Sequence, residues 1–399
     1  MNNKVVLAFS GGLDTSFCVP YLKKEKGLEV HTVTVNTGGF SKEEVKKIEE
    51  RALELGAASH TTIDATETYY QKGLKYLIFG NVLKNATYPL SVSSERVFQA
   101  LEVLKLVKKL DASYVAHGST GAGNDQVRFD LVFDVLAPNV EILAPIRDMQ
   151  ISRKEEIDYL VKAGFNFSWE KSKYSINQGI WGTSIGGVET LKSNGYLPEE
   201  AYPHHITKEG EEIVKITFEK GEPVALNGEK MSPVALIYKL AEIANQYGVG
   251  RDMHVGDTII GIKGRVGFEA AAPIIIVKAH HTLEKHVLVK EQLNWKDMIA
   301  NFYGQLMHEA QYLNPTMRDM EAFMESTQKC VSGDVEVLLR PYSYLVLGCS
   351  SKFDMMNSSF GEYGEINKSY SGRDVVGFTK VLANPLKIYY SLHKEEFEK

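Results

Sequence analysis

Two spacings of apolar residues alternate over the first 165 residues of the chain. Short apolar runs typical of strands buried on both faces of a parallel sheet occupy 5–9, 30–35, 60–63, 114–116 and 142–144. Between these runs, residues 42–56 and 94–110 repeat apolar side chains at helical spacing. Strand–helix–strand repetition predicts an α/β fold in which helices cover both faces of a parallel sheet, as a first domain of residues 1–165.

The pattern changes after about residue 164. Turn residues become frequent, and strand-like stretches at 213–219 and 273–278 surround one predicted helix at 233–247. We therefore predict a second, α+β domain over residues 166–370. From Asp374 an apolar pattern ending in Lys394-Glu395-Glu396 predicts an amphipathic C-terminal helix within 371–399. We expect this helix to dock on another surface, because bare termini usually fray.

Composition narrows the class of protein. Of 399 residues, 44% are hydrophobic and 24% are charged, which suffices for the cores of two or three folding units. The net charge of −6 gives no global electrostatic reason to bind nucleic acid or an anionic membrane. Three scattered cysteines argue against a disulfide framework and for a reducing compartment. The first apolar run is too short for a signal peptide, and no run approaches a membrane span, so we expect a cytoplasmic protein.

The loop after the first predicted strand has the composition of a phosphate-binding turn. It reads Ser10-Gly11-Gly12-Leu13-Asp14-Thr15-Ser16 and precedes a helix expected to begin near Asp14 or Thr15. Glycines let backbone N–H groups approach a ligand, and the helix N-terminus adds free amides and a positive dipole end. The chain has no Walker A lysine, which favours holding a departing pyrophosphate over transferring a terminal phosphate. The loop resembles that of the N-type ATP pyrophosphatases; the alternative is a glycine-containing turn without a ligand.

A second glycine-rich loop spans 117–129 and follows another predicted strand, so it should lie at the same edge of the sheet. Thr120, Asn124, Asp125 and Arg128 supply a mixed set of polar groups. Such a set suits a zwitterion: amides, hydroxyls and the guanidinium for carboxylates, and Asp125 for an ammonium group.

With both loops, the sequence resembles the argininosuccinate synthase family over nearly its whole length. The resemblance also includes Tyr88 with Ser93, and the segments 174–177, 181–184 and 248–251. It implies an adenine nucleotide α-hydrolase-like domain joined to a synthetase domain. It implies ATP-dependent ligation of citrulline to aspartate, a carbon–nitrogen ligase reaction of arginine biosynthesis that releases AMP and pyrophosphate with Mg²⁺. It further implies a homotetramer in which the terminal helix crosses onto a neighbouring subunit.

The resemblance implies a set of ligands for each substrate. Those for ATP are Ala8, Phe9, Ser10, Gly11, Gly12, Leu13, Asp14, Thr15, Ser16, Val35 and Gly118. Those for aspartate are Thr120, Asn124 and Asp125. Those for citrulline are Tyr88, Ser93, Asn124, Arg128, Ser175 and Ser184. Asp14 and Asp125 are the candidate catalytic residues. Asp14 would help to hold Mg²⁺, its alternative role being to cap the following helix, and no dedicated protein metal site is expected.

Two positions depart from the family pattern, because Gly256 and Phe268 stand where the family usually has a Glu and a Tyr that help to hold citrulline. Either Asp257 substitutes, or citrulline binds without that carboxylate, or the substrate is an N-acylated citrulline. Two further classes stay open. One is a tRNA-thiolating enzyme of the same pyrophosphatase group, against which the acidic balance and scattered cysteines count. The other is a nucleotide sensor without catalysis.

Overall fold

The structure is a computed structural model that describes residues 2–167, 173–357, 361, 363–366 and 369–393. The chain divides into two compact units, residues 1–351 and residues 352–399. The domain boundaries predicted from the sequence, 1–165, 166–370 and 371–399, stay predictions. A single apolar cluster includes residues on both sides of position 165, among them Val6, Trp181 and Leu339.

A five-stranded parallel sheet forms the N-terminal part of the first unit. Its strands are β1 (Lys4–Ala8), β2 (Glu29–Asn36), β3 (Ser59–Asp64), β4 (Tyr114–Ala116) and β5 (Glu141–Leu143). Their order is β3-β2-β1-β4-β5, so β1 is central and the direction of strand addition reverses beside it. The five predicted strands are confirmed to within one residue. A reversal of this kind opens a crevice at the carboxyl ends of the strands, here those of β1 and β4.

Helices cover both faces of this sheet. The helices of this part of the chain are α1 (Leu13–Lys24), α2 (Lys42–Glu54), α3 (Thr66–Tyr69), α4 (Lys75–Phe79), α5 (Glu95–Leu110), α6 (Asp125–Leu136), α7 (Pro145–Met149) and α8 (Arg153–Lys162), with a π-helical turn at Tyr70–Leu74. Of these, α1, α2, α5 and α6 contact the strands of the sheet. Successive side chains of β1 point to opposite faces. Val5 and Leu7 pack in one apolar cluster with Phe17 of α1, whereas Val6 packs in another with Val97 of α5. The helices predicted at 42–56 and 94–110 are confirmed as α2 and α5.

Two antiparallel sheets complete the first unit. Their strands are β6 (Ser175–Gly179), β7 (Gly182–Gly186), β8 (Glu212–Glu219), β9 (Glu222–Leu226), β10 (Glu229–Lys230), β11 (Arg251–Asp257), β12 (Lys263–Glu269), β13 (Gly333–Arg340) and β14 (Ser343–Ser350). One sheet has the order β10-β9-β8-β13-β14 and the other β11-β12-β7-β6. The strand predicted at 213–219 is β8. The smaller sheet carries the hairpins β6–β7 and β11–β12, which bear on the site below.

Four longer helices belong to this part of the chain: α9 (Pro233–Asn245), α10 (Ala271–Val287), α11 (Lys290–His308) and α12 (Pro315–Thr327). Helices α9 and α10 pack on these sheets, and α11 packs on α10 and α12. The helix predicted at 233–247 is confirmed as α9. The strand predicted at 273–278 is wrong, because these residues lie inside α10. Its Ile-Ile-Ile-Val run looks strand-like, but it belongs to a helix buried on most sides, and a buried helix loses the amphipathic period. Pro273 is tolerated in the first turn, where a backbone N–H has no intrahelical acceptor.

The second unit contains α13 (Gly372–Leu382) and α14 (Asn384–Leu392). The sequence predicts one helix from Asp374; the structure has two, which meet at Ala383. Pro385 explains the break, since it cannot continue an i to i−4 ladder but fits the first turn of a new helix. The predicted end at Lys394-Glu395-Glu396 lies outside the described residues. Among the described helices, none is long and apolar enough to cross a bilayer.

Candidate functional site

The first loop leaves β1 and enters α1 directly. The helix begins at Leu13, one residue before the predicted start, and its N-cap Gly12 makes no side-chain capping bond. Asp14 therefore does not have the capping role that was its alternative. Gly11 has φ +75°, a left-handed conformation that favours glycine, and its carbonyl accepts a 2.6 Å bond from Arg51 Nη1. The loop thus presents the uncapped N-terminus of a twelve-residue helix at the carboxyl edge of the sheet.

Hydroxyl groups surround the first turn of α1. Ser10 Oγ lies 3.3 Å from Thr15 Oγ1 and 3.4 Å from the Gly12 amide nitrogen. Ser16 is fully buried, and its Oγ has no hydrogen-bond partner among the described residues. A buried unpaired hydroxyl is costly, so a loop that keeps one has a polar group available for a ligand.

Asp14 forms a carboxyl pair with Glu156 of α8. Burial is the first cause that raises the pKa of both groups, and the charge of Asp14 is the next cause for Glu156, whose pKa reaches about 8. Glu156 is 3% exposed, and its Oε2 has no partner among the described residues. The sequence reasoning missed Glu156. The available signal was its helical register, since Leu160 lies one turn further on the same buried face.

A cavity of about 1120 Å³ lies at the carboxyl ends of β1 and β4. Most of the predicted site residues line it: Ala8, Phe9, Ser10, Gly12, Leu13, Asp14, Thr15, Val35, Gly118, Thr120, Asn124, Asp125, Arg128 and Ser175. Gly118 brings the two loops together, because a Cβ there would lie 2.9 Å from Thr15 Cγ2. A second cavity of about 550 Å³, between α5 and the end of α6, is lined by none of the predicted site residues. Gly11 and Ser16 of the first loop are not among the lining residues of either cavity. The predicted site therefore coincides in large part with the larger of these two cavities.

The second loop is shorter than predicted. Residues 117–129 were expected to form a loop, but α6 begins at Asp125, so Asp125 and Arg128 lie on its first turn. Their i, i+3 spacing on one helix face lets Arg128 Nη1 donate to Asp125 Oδ1 at 2.7 Å. Asn124 stays in the loop, and its Oδ1 accepts a 2.9 Å bond from the Ile259 amide at the tip of the β11–β12 hairpin.

Arg96 connects Asp125 to a second carboxylate, Glu95. Arg96 Nε donates to Asp125 Oδ2 at 2.9 Å, and its Nη1 donates to Glu95 Oε1 at 2.5 Å. Thr37 Oγ1 donates to Glu95 Oε2 at 2.8 Å. Burial alone would raise the pKa of Asp125, but Arg96 and Arg128 outweigh it and lower that pKa below its ordinary value. Burial raises the pKa of Glu95 to about 7, although Arg96 and Thr37 oppose it.

Arg96 and Glu95 line the same cavity, and the sequence reasoning missed both. They stand in the first turn of α5, two and three residues after Ser93. On an amphipathic helix a charged residue is usually solvated, so only the adjacent predicted residue could have drawn attention to them. Their effect is to fix Asp125 as an ionised group with 38% of its side chain still exposed toward the cavity.

Three predicted citrulline ligands lie outside the lining of the cavity. Tyr88, Ser93 and Ser184 are buried, and the Tyr88 and Ser184 hydroxyls share a 3.1 Å hydrogen bond. Ser91 Oγ donates to Tyr88 Oη, also at 3.1 Å. Ser93 Oγ has no partner among the described residues. The structure thus brings Tyr88 and Ser184 together across 96 residues of sequence, beside the cavity rather than on its wall.

The two departures from the family pattern lie on the β11–β12 hairpin. Phe268 is buried, and its ring centroid is 5.4 Å from that of Tyr88. Gly256 pairs with Gly264 across the hairpin. Asp257 does not replace a buried carboxylate, because it is exposed and pairs with Lys263 at 2.6 Å. The 248–251 segment has a structural role. Arg251 Nε donates to the buried Glu269 carboxylate at 2.9 Å, which links β11 to β12.

Comparison with known proteins gives the same family throughout. The arginosuccinate synthase N-terminal HUP domain matches residues 4–166, and the arginosuccinate synthase C-terminal domain matches residues 174–389. The argininosuccinate synthase of Methanocaldococcus jannaschii is 38% identical over 386 residues, covering 95% of this chain and 96% of its own. That of Dictyoglomus turgidum is 37% identical, covering 95% of each chain. That of Xanthomonas campestris pv. campestris is 36% identical over 402 residues, covering 98% of this chain and 99% of its own. With a HUP-type parallel sheet and matches over nearly its full length, the chain belongs to the argininosuccinate synthase family.

Proposed function

We propose that this protein is the ligase that joins citrulline to aspartate at the expense of ATP, releasing AMP and pyrophosphate, in arginine biosynthesis. The observation that carries the proposal is that one cavity contains both the first loop, with its uncapped helix N-terminus, and the Arg96–Asp125–Arg128 cluster. A phosphate site and a site for a charged amino acid within one cavity support a reaction between a nucleotide and amino acids. The alternatives, tRNA thiolation and an N-acylated citrulline, have no support from the comparisons.

The nucleotide would bind along the first loop. Its phosphates would accept hydrogen bonds from the backbone amides of residues 10–16 and from the hydroxyls of Ser10, Thr15 and Ser16. Ala8, Phe9, Val35 and Gly118 would contact the rest of the nucleotide. The unpartnered Ser16 Oγ supports this placement, because a phosphate oxygen would supply the acceptor that the described residues lack.

The donor set beside the loop suits Mg²⁺. Asp14 and the hydroxyls of Ser10 and Thr15 line the cavity, and Mg²⁺ prefers such oxygen ligands in small number together with phosphates. Burial raises the pKa of Asp14, so a cation beside it would favour the ionised carboxylate. When bound, Mg²⁺ would neutralise charge on the phosphates. Asp14 is the residue that would help to hold it.

The amino acids would bind around α6. Thr120, Asn124 and Asp125 would hold aspartate, and Asn124, Arg128 and Ser175 would hold citrulline together with Tyr88, Ser93 and Ser184. Since Arg96 and Arg128 occupy both oxygens of Asp125, its remaining lone pairs on the exposed side would receive the aspartate ammonium. The carboxylate would act in catalysis by orienting this amine.

The reaction needs no covalent bond to the protein. The ureido oxygen of citrulline attacks the α-phosphorus of ATP and pyrophosphate leaves, giving citrullyl-AMP. The aspartate amine, once it has lost a proton, attacks the activated carbon and AMP leaves. Catalysis would then consist of holding the reactants in line and of stabilising charge on the departing pyrophosphate with the amides of the first loop.

Assembly and location belong to the same proposal. Helices α13 and α14 expose Val376, Phe378, Val381, Leu386 and Ile388, an apolar set suited to contact with another subunit. We propose a homotetramer in the cytoplasm; the three cysteines, which are free thiols, suit a reducing compartment. Deleting residues from Asp374 onward should lower the mass measured by light scattering, and an unchanged mass would refute this assembly.

Pyrophosphate release tests the reaction. The purified protein should release pyrophosphate and form AMP only when ATP, citrulline and aspartate are all present. Production of ADP, or tight ATP binding without turnover, would contradict the proposal. N-acetylcitrulline in place of citrulline should give a much lower rate, and tRNA should not be retained at physiological salt.

A substitution at Ser16 sharpens the nucleotide site. Ser16→Ala should raise KM for ATP several-fold without lowering thermal stability, because the hydroxyl has no protein partner to lose. Thr327→Val is the matched control, since it removes a buried hydroxyl that donates to the Met324 carbonyl at 2.7 Å. That variant should lose stability and keep its KM. A Ser16→Ala enzyme with unchanged KM would place the phosphates elsewhere.

A further inference from the structure

His254 is a buried imidazole with an unused nitrogen. It lies on β11, is 6% exposed, and its Nδ1 has no hydrogen-bond partner among the described residues. Its ring stacks on that of Tyr88 with centroids 5.0 Å apart and 24° between planes. Tyr88 in turn shares hydrogen bonds with Ser91 and Ser184. His254 therefore borders the group of hydroxyls proposed for citrulline, on the side formed by the hairpin.

The backbone at Gly256 makes room for this ring. Side chains two residues apart on a strand point to the same face, so a side chain at 256 would lie beside the imidazole. A Cβ there would come 2.7 Å from His254 Nε2, closer than such contacts occur. The glycine is therefore a condition for the position of the imidazole. The sequence reasoning treated Gly256 only as a lost carboxylate.

The charges near His254 decide what it can accept. Burial, and then the charge of Lys84, lower the pKa of His254 to about 4, so the ring is neutral at physiological pH. His308 is also buried beside this group, and burial and the charges of Arg128 and Lys84 lower its pKa as well. A neutral ring carries one lone pair that can accept a hydrogen bond.

The nearby carboxylate, Asp125, binds Arg96 and Arg128, and its remaining lone pairs are the ones assigned above to the ammonium of aspartate. The α-carboxylate of an amino acid would be attracted by Arg128 and Lys84, the two cations whose charges act on His308. Its α-ammonium is left with neutral acceptors, and among the described residues His254 Nδ1 is a buried acceptor that is still free.

We propose that His254 Nδ1 accepts a hydrogen bond from the α-ammonium of the ureido amino acid, which makes His254 a specificity-determining residue for this end of the substrate. The inference rests on the proposed function. The proton of the neutral ring then lies on Nε2. At this position the protein recognises an ammonium group by a neutral imidazole instead of by a carboxylate, and Gly256 permits it.

Two ligands separate this role from a role in packing against Tyr88. Citrulline and 5-ureidopentanoate share the ureido group and the carboxylate, and only citrulline has the α-ammonium. KM for citrulline and the inhibition constant of 5-ureidopentanoate against citrulline would be measured for the wild type, His254→Leu and His254→Gln. We expect His254→Leu to raise KM for citrulline roughly 10- to 100-fold, because the variant loses a hydrogen bond to a charged group. The inhibition constant of 5-ureidopentanoate should stay within about threefold, and His254→Gln, which keeps an acceptor, should recover most of the loss.

Equal weakening of both ligands would overturn the inference, since it would indicate packing or contact with the carboxylate; so would unchanged affinity for citrulline. These results differ from failure of the proposed function, in which the wild type itself would make no pyrophosphate from citrulline and aspartate. Gly256→Ala provides an independent variant, because it displaces the ring without removing it, and it should reproduce the selective loss for citrulline. Gly264→Ala is its matched control across the hairpin, where a Cβ comes no closer than 3.3 Å to Thr258 Cγ2.

Discussion

The first unit contains two networks of buried charged side chains. In one, every charged group is paired inside the protein; in the other, one carboxylate remains exposed to the cavity. Between α10 and α11, Lys296 Nζ donates to Glu284 Oε2 at 2.5 Å, and Gln328 Nε2 donates to Glu284 Oε1 at 2.8 Å. His280 Nδ1 lies 2.6 Å from Asn81 Oδ1 and Nε2 lies 2.9 Å from Gln328 Oε1, and the one N–H of the neutral ring donates to one of these two oxygens. The side chains of Lys296, Glu284 and His280 are fully buried. Every charge in this network has its partners inside the protein.

The network at the cavity is open on one side. Glu95 and Arg128 are nearly as buried as the first group, but 38% of the Asp125 side chain remains exposed. The comparison teaches that the burial of charge does not by itself mark a functional site. The α10–α11 network holds helices together, whereas the cavity network directs a fixed, ionised carboxylate at a space where substrates can bind.

Breaking the closed network should have the largest effect. Lys296→Met leaves Glu284 buried without its cation, which costs about 3–5 kcal/mol in the free energy of unfolding. Denaturant unfolding measures the loss, and the kcat/KM of the protein that still folds should be unchanged. Lys290→Met is the control, because the Lys290 side chain is 84% exposed, and it should leave the midpoint of denaturant unfolding unchanged. A loss no larger than that of the control would mean that the network does not hold these helices together.

Breaking the open network should affect activity more than stability. Asp125→Asn weakens two charge-assisted bonds and removes the carboxylate from the cavity, so kcat/KM should fall by about 2–3 kcal/mol in transition-state terms, roughly 30- to 150-fold. The free energy of unfolding should change less than in the Lys296 variant, because Asp125 is partly solvated and Glu95 still neutralises Arg96. Pyrophosphate release and denaturant unfolding on the same preparation give both values. The opposite order of effects would refute the distinction between the networks.

Acid should weaken the closed network through His280. Burial lowers the pKa of His280 to about 4 from an ordinary 6.5, with Glu284 opposing in part. Below about pH 6.5 the unfolded chain gains a proton that the folded ring does not, so this contribution to stability is complete above pH 6.5 and is lost as the pH falls toward 4. The slope is at most about 1.4 kcal/mol per pH unit. Unfolding free energies at pH 7.0 and 5.5 should differ less in His280→Asn than in the wild type; equal differences would contradict the assignment.

An ion pair outside both networks should have the smallest effect. Lys46 Nζ lies 3.9 Å from Glu50 Oε1 on α2, with 78% and 65% of the two side chains exposed. Lys46→Ala should change the free energy of unfolding by less than about 0.5 kcal/mol. A loss comparable with that of Lys296→Met would show that burial is not what separates the strong pair from the weak one.

The sequence predicted those features whose signal is local. Glycines directly after an apolar run marked the first loop, and the parallel strands followed from their position between amphipathic helices. Asp125 and Arg128 were recognised, although their helix was not. The first turn of α6 follows a glycine-rich stretch, which favours a loop, and its N-cap Asn124 makes no side-chain capping bond.

What the sequence could not provide was pairing over distance and the direction of helical side chains. Tyr88 and Ser184 meet only because the β6–β7 hairpin folds onto the loop before α5, and Trp181 Nε1 fixes that contact by donating to the Pro89 carbonyl at 2.9 Å. Arg96 looks like an ordinary surface residue until the register of α5 turns it toward Asp125. The strand prediction at 273–278 failed for the related reason that a helix buried on most sides has no polar face to reveal its period.

The central position of β1 in the parallel sheet affects when the nucleotide site can form during synthesis of the chain. Val5 pairs with Val30 on one side and with Tyr114 on the other. One edge of β1 therefore stays unpaired until a segment about a hundred residues downstream has been made. Such distant pairings are slow to form. During synthesis the first loop is therefore made long before Gly118, which lies against it in the folded protein. We expect the nucleotide site to form only after this later segment has been synthesised and has paired.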